Sequence, residues 1–554
     1  MSTFTVTNTD NSGAGSLRQQ ILNADLAGGT NIINFGGLFS DGLAHTINLT
    51  GSGLSITDNL TIEGTNASLL TIKDDSADRV FHIGKGATSA INGLTITNTY
   101  NGYNGTPGGG GIYNEGTLTL NNSIITGNTA YYNAIDFYGN TLSAGGGIYN
   151  TGSLTVNYST ISNNSAGDIL SSNSDGGGIY NTGSLTVYYS NITGNIAGHY
   201  GGGIYSDQDL KTGIKPNSVS VNYSTISHNS STESGGYGGG IYLHYGMLSH
   251  NTVTNNSAGS NGGGIYLYDG QVNYNTVTNN SAGDYGGGIY LYDGQVNYST
   301  ITNNSAGEIG GGISLSQGTV NYSSISGNSS QSDGGGIVGS GGFTVNYSSI
   351  TDNTALQGGG IYVTDNGGIV SHSIISGNTA KNLGGGIFYS GLVYSLGYPN
   401  VDDIVVSDST LSNNQARIGA AVYNDGTLTL AKSTISNNKA QSGGGIYNDG
   451  ALILSNSNLS NNQAHFGGGI YNDGTLTVGN SIIRVNKAFG IELSSGQEES
   501  GDGAGIYNIL DGTARLDYST VACNFDTPLE DSTKFIKVDN LVGKFINIGS
   551  FVRV

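Results

Sequence analysis

The chain has 554 residues, 95 of them Gly and 35 Tyr, with 4 Pro, no Trp, 10% charged residues and a formal net charge of −21. Glycine at this level without an every-third-residue period excludes a collagen triple helix, and 36% hydrophobic residues at low charge exclude a disordered polyampholyte. The acidic balance disfavours nucleic acid as a partner, because phosphate is repelled by a negative surface.

The opening stretch, "MSTFTVTNTDNSG", lacks the basic and apolar regions of a signal peptide. No apolar run approaches the roughly 18 residues of a transmembrane helix. Within "FTVTNTDNSGAGSLRQQILNADLAGGTNIINF", residues 4 to 35, Ser16 and Gln19 have the spacing of a helix capping box, and Leu17, Ile21, Leu22 and Leu26 share one helical face. This predicts a short helix lying as a lid over an open strand edge. The single cysteine, Cys523, forms no intrachain disulfide and is expected to be a small buried apolar residue.

From residue 108 the chain repeats itself. An apolar anchor follows a glycine-rich triplet at positions running from Ile112, Ile148 and Ile179 to Ile446, Ile470 and Ile506, and seven of the intervals between Ile241 and Ile470 are 24 residues. Segments such as "GIYN", "TLTL" and "STIS" alternate with period two, and "NDG" and "NN" separate them. They read as short strands and turns, with nothing at helical spacing. Three strands in about 24 residues make one coil of a parallel β-helix, because units this small bury a core only by stacking.

One column fixes the stacking. Three residues after the second anchor of each unit stands an Asn, in fifteen units of fifteen: Asn128, Asn164, Asn195, Asn229, Asn256, Asn280, Asn304, Asn328, Asn353, Asn378, Asn414, Asn438, Asn462, Asn486 and Asn524. This predicts a ladder of side-chain amides, with each Asn in a left-handed turn conformation. The second anchor follows the first by 13 residues in units such as Ile446 to Leu459 and by 12 in units such as Ile289 to Ile301, while the total stays 24. A corner has moved by one residue and the coil still closes.

The pair Gly-Gly-Gly-Ile and Ile-x-x-Asn resembles the Gly-Gly-Ala-Ile and Phe-x-x-Asn of polymorphic outer membrane protein repeats, over residues 108 to 524. The resemblance implies an all-β, right-handed parallel β-helix of the pectate-lyase-like superfold. Residues 4 to 35 also resemble the entry segment of large secreted bacterial β-helix proteins. The expected organisation is a cap with irregular first coils (1–107), regular coils (108–524) and a non-repeat C-terminal segment (525–554), in all about 19 or 20 coils and on the order of 95 Å of stacked strands.

Four features are candidates for function. Insertions at about 131–143, 167–175, 231–237 and 490–503 leave one edge of the coils, and others near 207–217 and 389–405 leave another; loops on a rigid scaffold commonly bind, although a tolerant edge also accepts neutral insertions. A column of aromatics, Tyr158, Tyr189, Tyr223, His250, Tyr274, Tyr298, Tyr322, Tyr347 and His372, is placed outside by alternation, where it either only stacks on itself or forms a track for sugar rings or a partner surface. A second column holds Tyr242, Tyr266 and Tyr290. Asp425, Asp449 and Asp473 in successive "NDG" turns are ordinary turn residues and weak calcium candidates, and no other cofactor or metal is expected. From Lys534 onward the last segment carries Lys534, Lys537, Lys544 and Arg553 among apolar residues including Phe545 and Phe551, against the single acid Asp539. It reads as a cap or as an assembly element docking head-to-tail on the acidic residues 1–84 of another copy.

Many right-handed β-helices cleave polysaccharides, but the "GHG" and "RIK" segments that a polygalacturonase-like site needs are absent, and the coils show no local break in their pattern. The expectation is therefore a non-enzymatic structural or adhesive protein of the cell surface or exterior, bacterial-like, with itself or a polysaccharide as partner. The alternative is a carbohydrate-binding or polysaccharide-degrading β-helix.

Overall fold

A computed structural model describes the chain except residues 77, 99–107, 131–133, 136–140, 168–173, 208–217, 365–366, 392–402, 493–497, 500, 510–511, 528–536, 539 and 553–554. It divides into two compact units, Met1–Gly283 and Asp284–Val554. Each is a stack of parallel coils.

In the second unit one coil runs through the strands Ile446–Asn448, Ala451–Ser455, Asn458–Ser460 and Gln463–Ala464. The next coil lies in register on it, with Ile446 opposite Ile470, Leu452 opposite Leu476, Leu459 opposite Ile483 and Gln463 opposite Lys487. The first unit repeats the plan: Ile148 meets Ile179, Leu154 meets Leu185, Ile161 meets Ile192 and Ser165 meets Ile196. The first two strands of each coil share one sheet, so the coil has three faces. Alternation turns Ile148, Leu154, Val156 and Ile161 fully inward. Each such residue contributes about 1.5–3 kcal/mol by burial, and in-register stacking sets like against like.

The glycine triplets have a steric origin. The first Gly takes a left-handed φ, +67° at Gly176, which L side chains rarely adopt. A Cβ on the second, Gly177, would lie 2.4 Å from the Ile196 carbonyl oxygen and 2.5 Å from that of Gly202. Backbone therefore packs on backbone at this corner. The coil at Gly419 carries Ala420 and Ala421 here, both buried, so the corner accommodates a methyl where neighbouring coils yield.

The ladder Asn residues are buried, and each amide bonds the next coil: Asn353 Nδ2 donates to Asn378 Oδ1 at 3.0 Å, and the Asn353 N–H donates to the same oxygen at 3.1 Å. The expected left-handed conformation belongs to a different column. It falls one residue earlier, at Asn163, Asn255, Asn279, Asn303, Asn413, Asn437 and Asn461, with φ between +53° and +59°. The ladder Asn must point its side chain into the coil, and the residue before it makes the turn.

A second ladder escaped the sequence reading. Asn114, Asn150 and Asn181 in the first unit and Asn424, Asn448, Asn472 and Asn508 in the second are buried at the inner corner of the "IYN" strands. Asn448 Nδ2 donates to Asn472 Oδ1 at 2.7 Å, to the Gly450 carbonyl at 3.1 Å and to the Thr475 carbonyl at 3.2 Å. In the shorter units Leu243 and Leu267 take this place. There the corner disappears and the two strands fuse into nine-residue strands, Ile241–Ser249 and Ile265–Asn273. In the units at Ile289 and Ile313, also shorter by one residue before the second anchor, Leu291 and Leu315 take the same place but the two strands stay separate, Ile289–Leu291 from Gln295–Asn297 and Ile313–Leu315 from Thr319–Asn321.

The predicted helix is α1, Leu17–Ala27, packed on the strands Thr3–Val6, Asn31–Phe35 and Leu54–Ile56. Ser16 Oγ accepts from the Gln19 N–H at 3.2 Å, but the Gln19 side chain donates to Asn23 instead of returning to close the capping box. Leu17, Ile21 and Ala24 form the buried face. Leu22 and Leu26 do not join it and stand exposed, because the lid covers one narrow edge.

Candidate functional site

The outer aromatic column is exposed, at 59% for Tyr158, 44% for Tyr189, 43% for Tyr223, 50% for Tyr274, 49% for Tyr298 and Tyr322 and 45% for Tyr347. Strand alternation does not place it there. Tyr158, Tyr189, Tyr223, His250, Tyr274, Tyr298, Tyr322, Tyr347 and His372 all have φ between +46° and +58°, so each occupies a one-residue left-handed turn between two strands. Asn122, Asp408, Lys432, Asn456 and Asn480 hold the same position in other coils.

In the first unit the ring centroids from Tyr158 through Tyr189, Tyr223 and His250 to Tyr274 are 5.3, 5.1, 4.6 and 4.8 Å apart. In the second unit Tyr298, Tyr322, Tyr347 and His372 follow at 5.0, 4.8 and 4.5 Å. A ring stacked on both sides has no free face, so the columns offer ring edges and phenol hydroxyls. Sugars cannot lie flat on the rings inside such a stack. Beside the columns run outward Thr, Ser and Asn, such as Thr252, Thr254, Thr276 and Thr278. From Tyr158 to Thr278, and from Tyr298 to Ser326, these turn and outward strand positions carry no formally charged residue except by protonation of His228 or His250.

The inner column, Tyr113, Tyr149, Tyr180, Tyr205, Tyr242 and Tyr266, packs at 4.8–5.3 Å along the first strand face. Tyr200 leans against it, 4.9 Å from Tyr242, and burial pushes the Tyr200 hydroxyl up to about 12. Beneath Tyr200 sits a cluster of carboxyls. Asp175 Oδ1 accepts from the Tyr200 N–H at 3.0 Å and lies 3.7 Å from His199 Nδ1. Burial, and then the charges of Asp207 and Glu233, push Asp175 up to about 7, while burial lowers His199 to about 4. The two face each other uncharged at mildly acid pH. Asp207 is paired with His244 at 2.9 Å.

Asp425, Asp449 and Asp473 occupy successive turns as expected. Burial and then Asp449 raise Asp425. Among the described residues no group of three or more His, Cys, Asp or Glu is placed to hold a metal ion.

The C-terminal segment forms a further coil. Leu541–Val542, Ile546–Ile548 and Phe551–Val552 pair in parallel with Ile506–Tyr507, Arg515–Asp517 and Thr520–Val521. Asn540 extends the amide ladder past Asn524 at 2.8 Å. This register turns Ile546 and Phe551 outward, 63% and 60% exposed. Lys544 is exposed and Phe545 half-buried; Lys537 lies in the short strand Lys537–Val538, and Lys534 and Arg553 lie outside the described residues. Most residues of the insertions near 131–143, 167–175, 207–217 and 389–405, and residues 493–497 and 500 of that near 490–503, also lie outside them, whereas 231–237 is described. Cys523, expected inside, is exposed at φ +56° in the left-handed column.

A cleft that the sequence did not reveal lies in the first unit. It has a volume of about 530 Å³ and is lined by Ser52, Gly53, Leu54, Ser55, Asp78, Arg79, His82, Tyr113 and Glu115. His82 Nε2 is 2.8 Å from Glu115 Oε2, and its ring stacks on Tyr113 at 5.1 Å and 9°. The Arg79 guanidinium lies 4.8 Å over the Tyr113 ring. From α1, Arg18 donates to the carbonyls of Ser52 at 2.6 Å and Gly53 at 2.8 Å and fixes one rim.

Residues 337–508 match the family described as a right-handed β-helix region, and residues 252–268 match the Chlamydia polymorphic membrane protein repeat. Among solved structures, an alginate lyase of the PL6 family, AlyGC, aligns over 100% of both chains at 10% identity with a TM-score of 0.26, too low to carry an argument. No curated protein matches the chain. The coils, their registers and these matches define a right-handed parallel β-helix. More particularly, its repeats are similar to those of polymorphic membrane proteins, the match itself falling on residues 252–268.

Proposed function

We propose that the chain is a non-catalytic surface protein that adheres to neutral polysaccharide through its exposed tyrosine columns. The observation that carries this reading is the ordered row of phenol hydroxyls at Tyr158, Tyr189, Tyr223 and Tyr274 in the first unit and at Tyr298 and Tyr322 in the second, beside outward positions without formal charge, in a protein whose net charge is −21. Clearing charge from one face while the rest stays acidic favours a neutral, hydroxyl-rich partner over a polyanion. The polymorphic membrane protein repeat supports display at a cell surface. Contact would be by hydroxyl hydrogen bonds and ring edges, repeated weakly along many coils and summed by multivalency.

The test is retention of the purified protein on insoluble cellulose, chitin and cell-wall sacculi, beside a triple variant Tyr189→Asn, Tyr223→Asn, Tyr274→Asn. Asn suits the left-handed turn, so the coils stay folded. Retention that falls at least tenfold supports the reading. Unchanged retention, no retention of either protein, or release of soluble sugar by the wild type overturns it.

A further inference from the structure

The inner aromatic column ends in the cleft. Along the first strand face the register places Ser55, His82 and Tyr113 in adjacent strands. His82 stacks on Tyr113 through one face. Its other face looks toward Ser55, which has no ring. Tyr113, Tyr149, Tyr180, Tyr205 and Tyr242 each have a ring on both sides, whereas His82 has one only on the Tyr113 side, so an uncovered aromatic face lies at His82, inside a cleft of about 530 Å³. Ligand clefts span roughly 300–1,000 Å³.

The polar groups around that face are of both kinds. The Arg79 side chain is 90% buried by its neighbours, since only 10% is exposed, and its Nε is held by Asp78 Oδ1 at 3.4 Å. The two Nη groups have no hydrogen-bond partner among the described residues, and they supply donors in a fixed plane. Asp78 is occupied: Oδ1 also accepts the Arg79 N–H at 2.9 Å, and Oδ2 accepts the Gly53 N–H at 3.3 Å. Glu115 supplies carboxylate acceptors with one oxygen on His82, and Ser52 and Ser55 add hydroxyls. Two carboxylates stand against the Arg79 guanidinium in the lining and the Arg18 guanidinium on the rim, so the cleft is at net zero when His82 is neutral. With His82 neutral an anionic ligand gains nothing from that balance.

We infer that this cleft is a binding site for a neutral sugar residue. A pyranose matches it: an apolar C–H face for the His82 ring, and hydroxyls that accept from Arg79 and donate to Glu115. The site shares no residue with the outer tyrosine columns. It is a discrete pocket for a chain end or short oligosaccharide, distinct from adhesion along the coils.

The experiment is isothermal titration of the full chain with cello-, xylo- and N-acetylchito-oligosaccharides of four to six residues, and with oligogalacturonate and oligoalginate. Variants are Glu115→Gln, which keeps shape, Arg79→Gln, and the triple Tyr→Asn variant of the outer columns. The expected result is saturable binding of at least one neutral series, weakened tenfold or more by Glu115→Gln and unchanged in the triple variant. If Arg79→Gln shifts the unfolding profile, Glu115→Gln alone decides. Binding of only the uronate series, binding unaffected by Glu115→Gln, or no binding of any series overturns the assignment. Failure here leaves polysaccharide retention by the outer columns intact, and failure there leaves this site intact.

Discussion

Removing one rung of the amide ladder gives the sharpest test of what holds the coils together. In Asn353→Ala four hydrogen bonds disappear. Asn353 Oδ1 no longer accepts from the Asn328 N–H at 2.9 Å or from Asn328 Nδ2 at 3.0 Å, and Asn353 Nδ2 no longer reaches the Ile325 carbonyl or Asn378 Oδ1, both at 3.0 Å. The Asn328 N–H is left buried with no acceptor, at about 1–3 kcal/mol, and the other groups keep part of their bonding, at about 0.5–1.5 kcal/mol each. The expected total is about 4 kcal/mol. Stacked repeats exchange their coupling with neighbours only, so the loss is local and a single melting midpoint would dilute it. Hydrogen exchange read peptide by peptide resolves it: protection should fall in the segments around Asn328 and Asn378 and hold two coils away. Asn353→Asp keeps the acceptor and removes both donors, setting a carboxylate against two oxygens. Its carboxyl should be raised, so the folded state keeps a proton that the unfolded state releases, and the variant loses stability as pH rises above about 4. A loss below about 1 kcal/mol for Asn353→Ala, or exchange unchanged in the adjacent coils, would refute the ladder as a principal source of cohesion.

Other outcomes follow from the same geometry. Asp175, raised by burial from 3.8 to about 7, binds a proton in the fold that it releases when unfolded, which lowers the stability of the Met1–Gly283 unit as pH rises through that window, while His199, lowered from 6.5 to about 4, raises it between those two values and offsets most of the decline. Asp175→Asn should remove the Asp175 contribution alone, so its advantage over the wild type should grow from pH 5 to pH 8 to on the order of 4 kcal/mol, measured by denaturant unfolding of both proteins at the two pH values. Val485, a β-branched residue at φ +58° in the column that Asn461 and Asn437 otherwise fill, is strained; Val485→Asn should stabilise by about 1 kcal/mol, read from hydrogen exchange of the peptides that cover the changed coil. At Tyr322 the left-handed turn opposes the ring contacts with Tyr298 and Tyr347, so Tyr322→Asn should be within about 1 kcal/mol of wild type and more stable than Tyr322→Ala, in the same assay.

The sequence by itself determined the coil. A 24-residue period, strand alternation and an Asn in every unit leave few structures in which each copy can bury its anchor, and stacking in register is the one that also satisfies the amides. The Asn column was legible because it never varies in spacing from its anchor. The second ladder at Asn114, Asn448 and Asn472 was not, since Leu replaces it wherever a corner straightens, and Asn540 was missed because it follows Asn524 by 16 residues instead of a full period. Dihedral assignment also lay beyond the sequence: Asn tolerates the left-handed turn, but so did seven Tyr and two His of the outer column, where ring stacking offsets the strain. Only the tertiary structure decided where the column of the first strand ends beside polar groups. It places the uncovered face of His82 in a cleft with Arg79, Ser52 and Ser55 from the irregular coils and Glu115 from the first regular one. Glu115 stands where later coils carry the Asp of their "NDG" turns, but Arg79 and the two serines belong to no repeat, so periodicity cannot report their proximity.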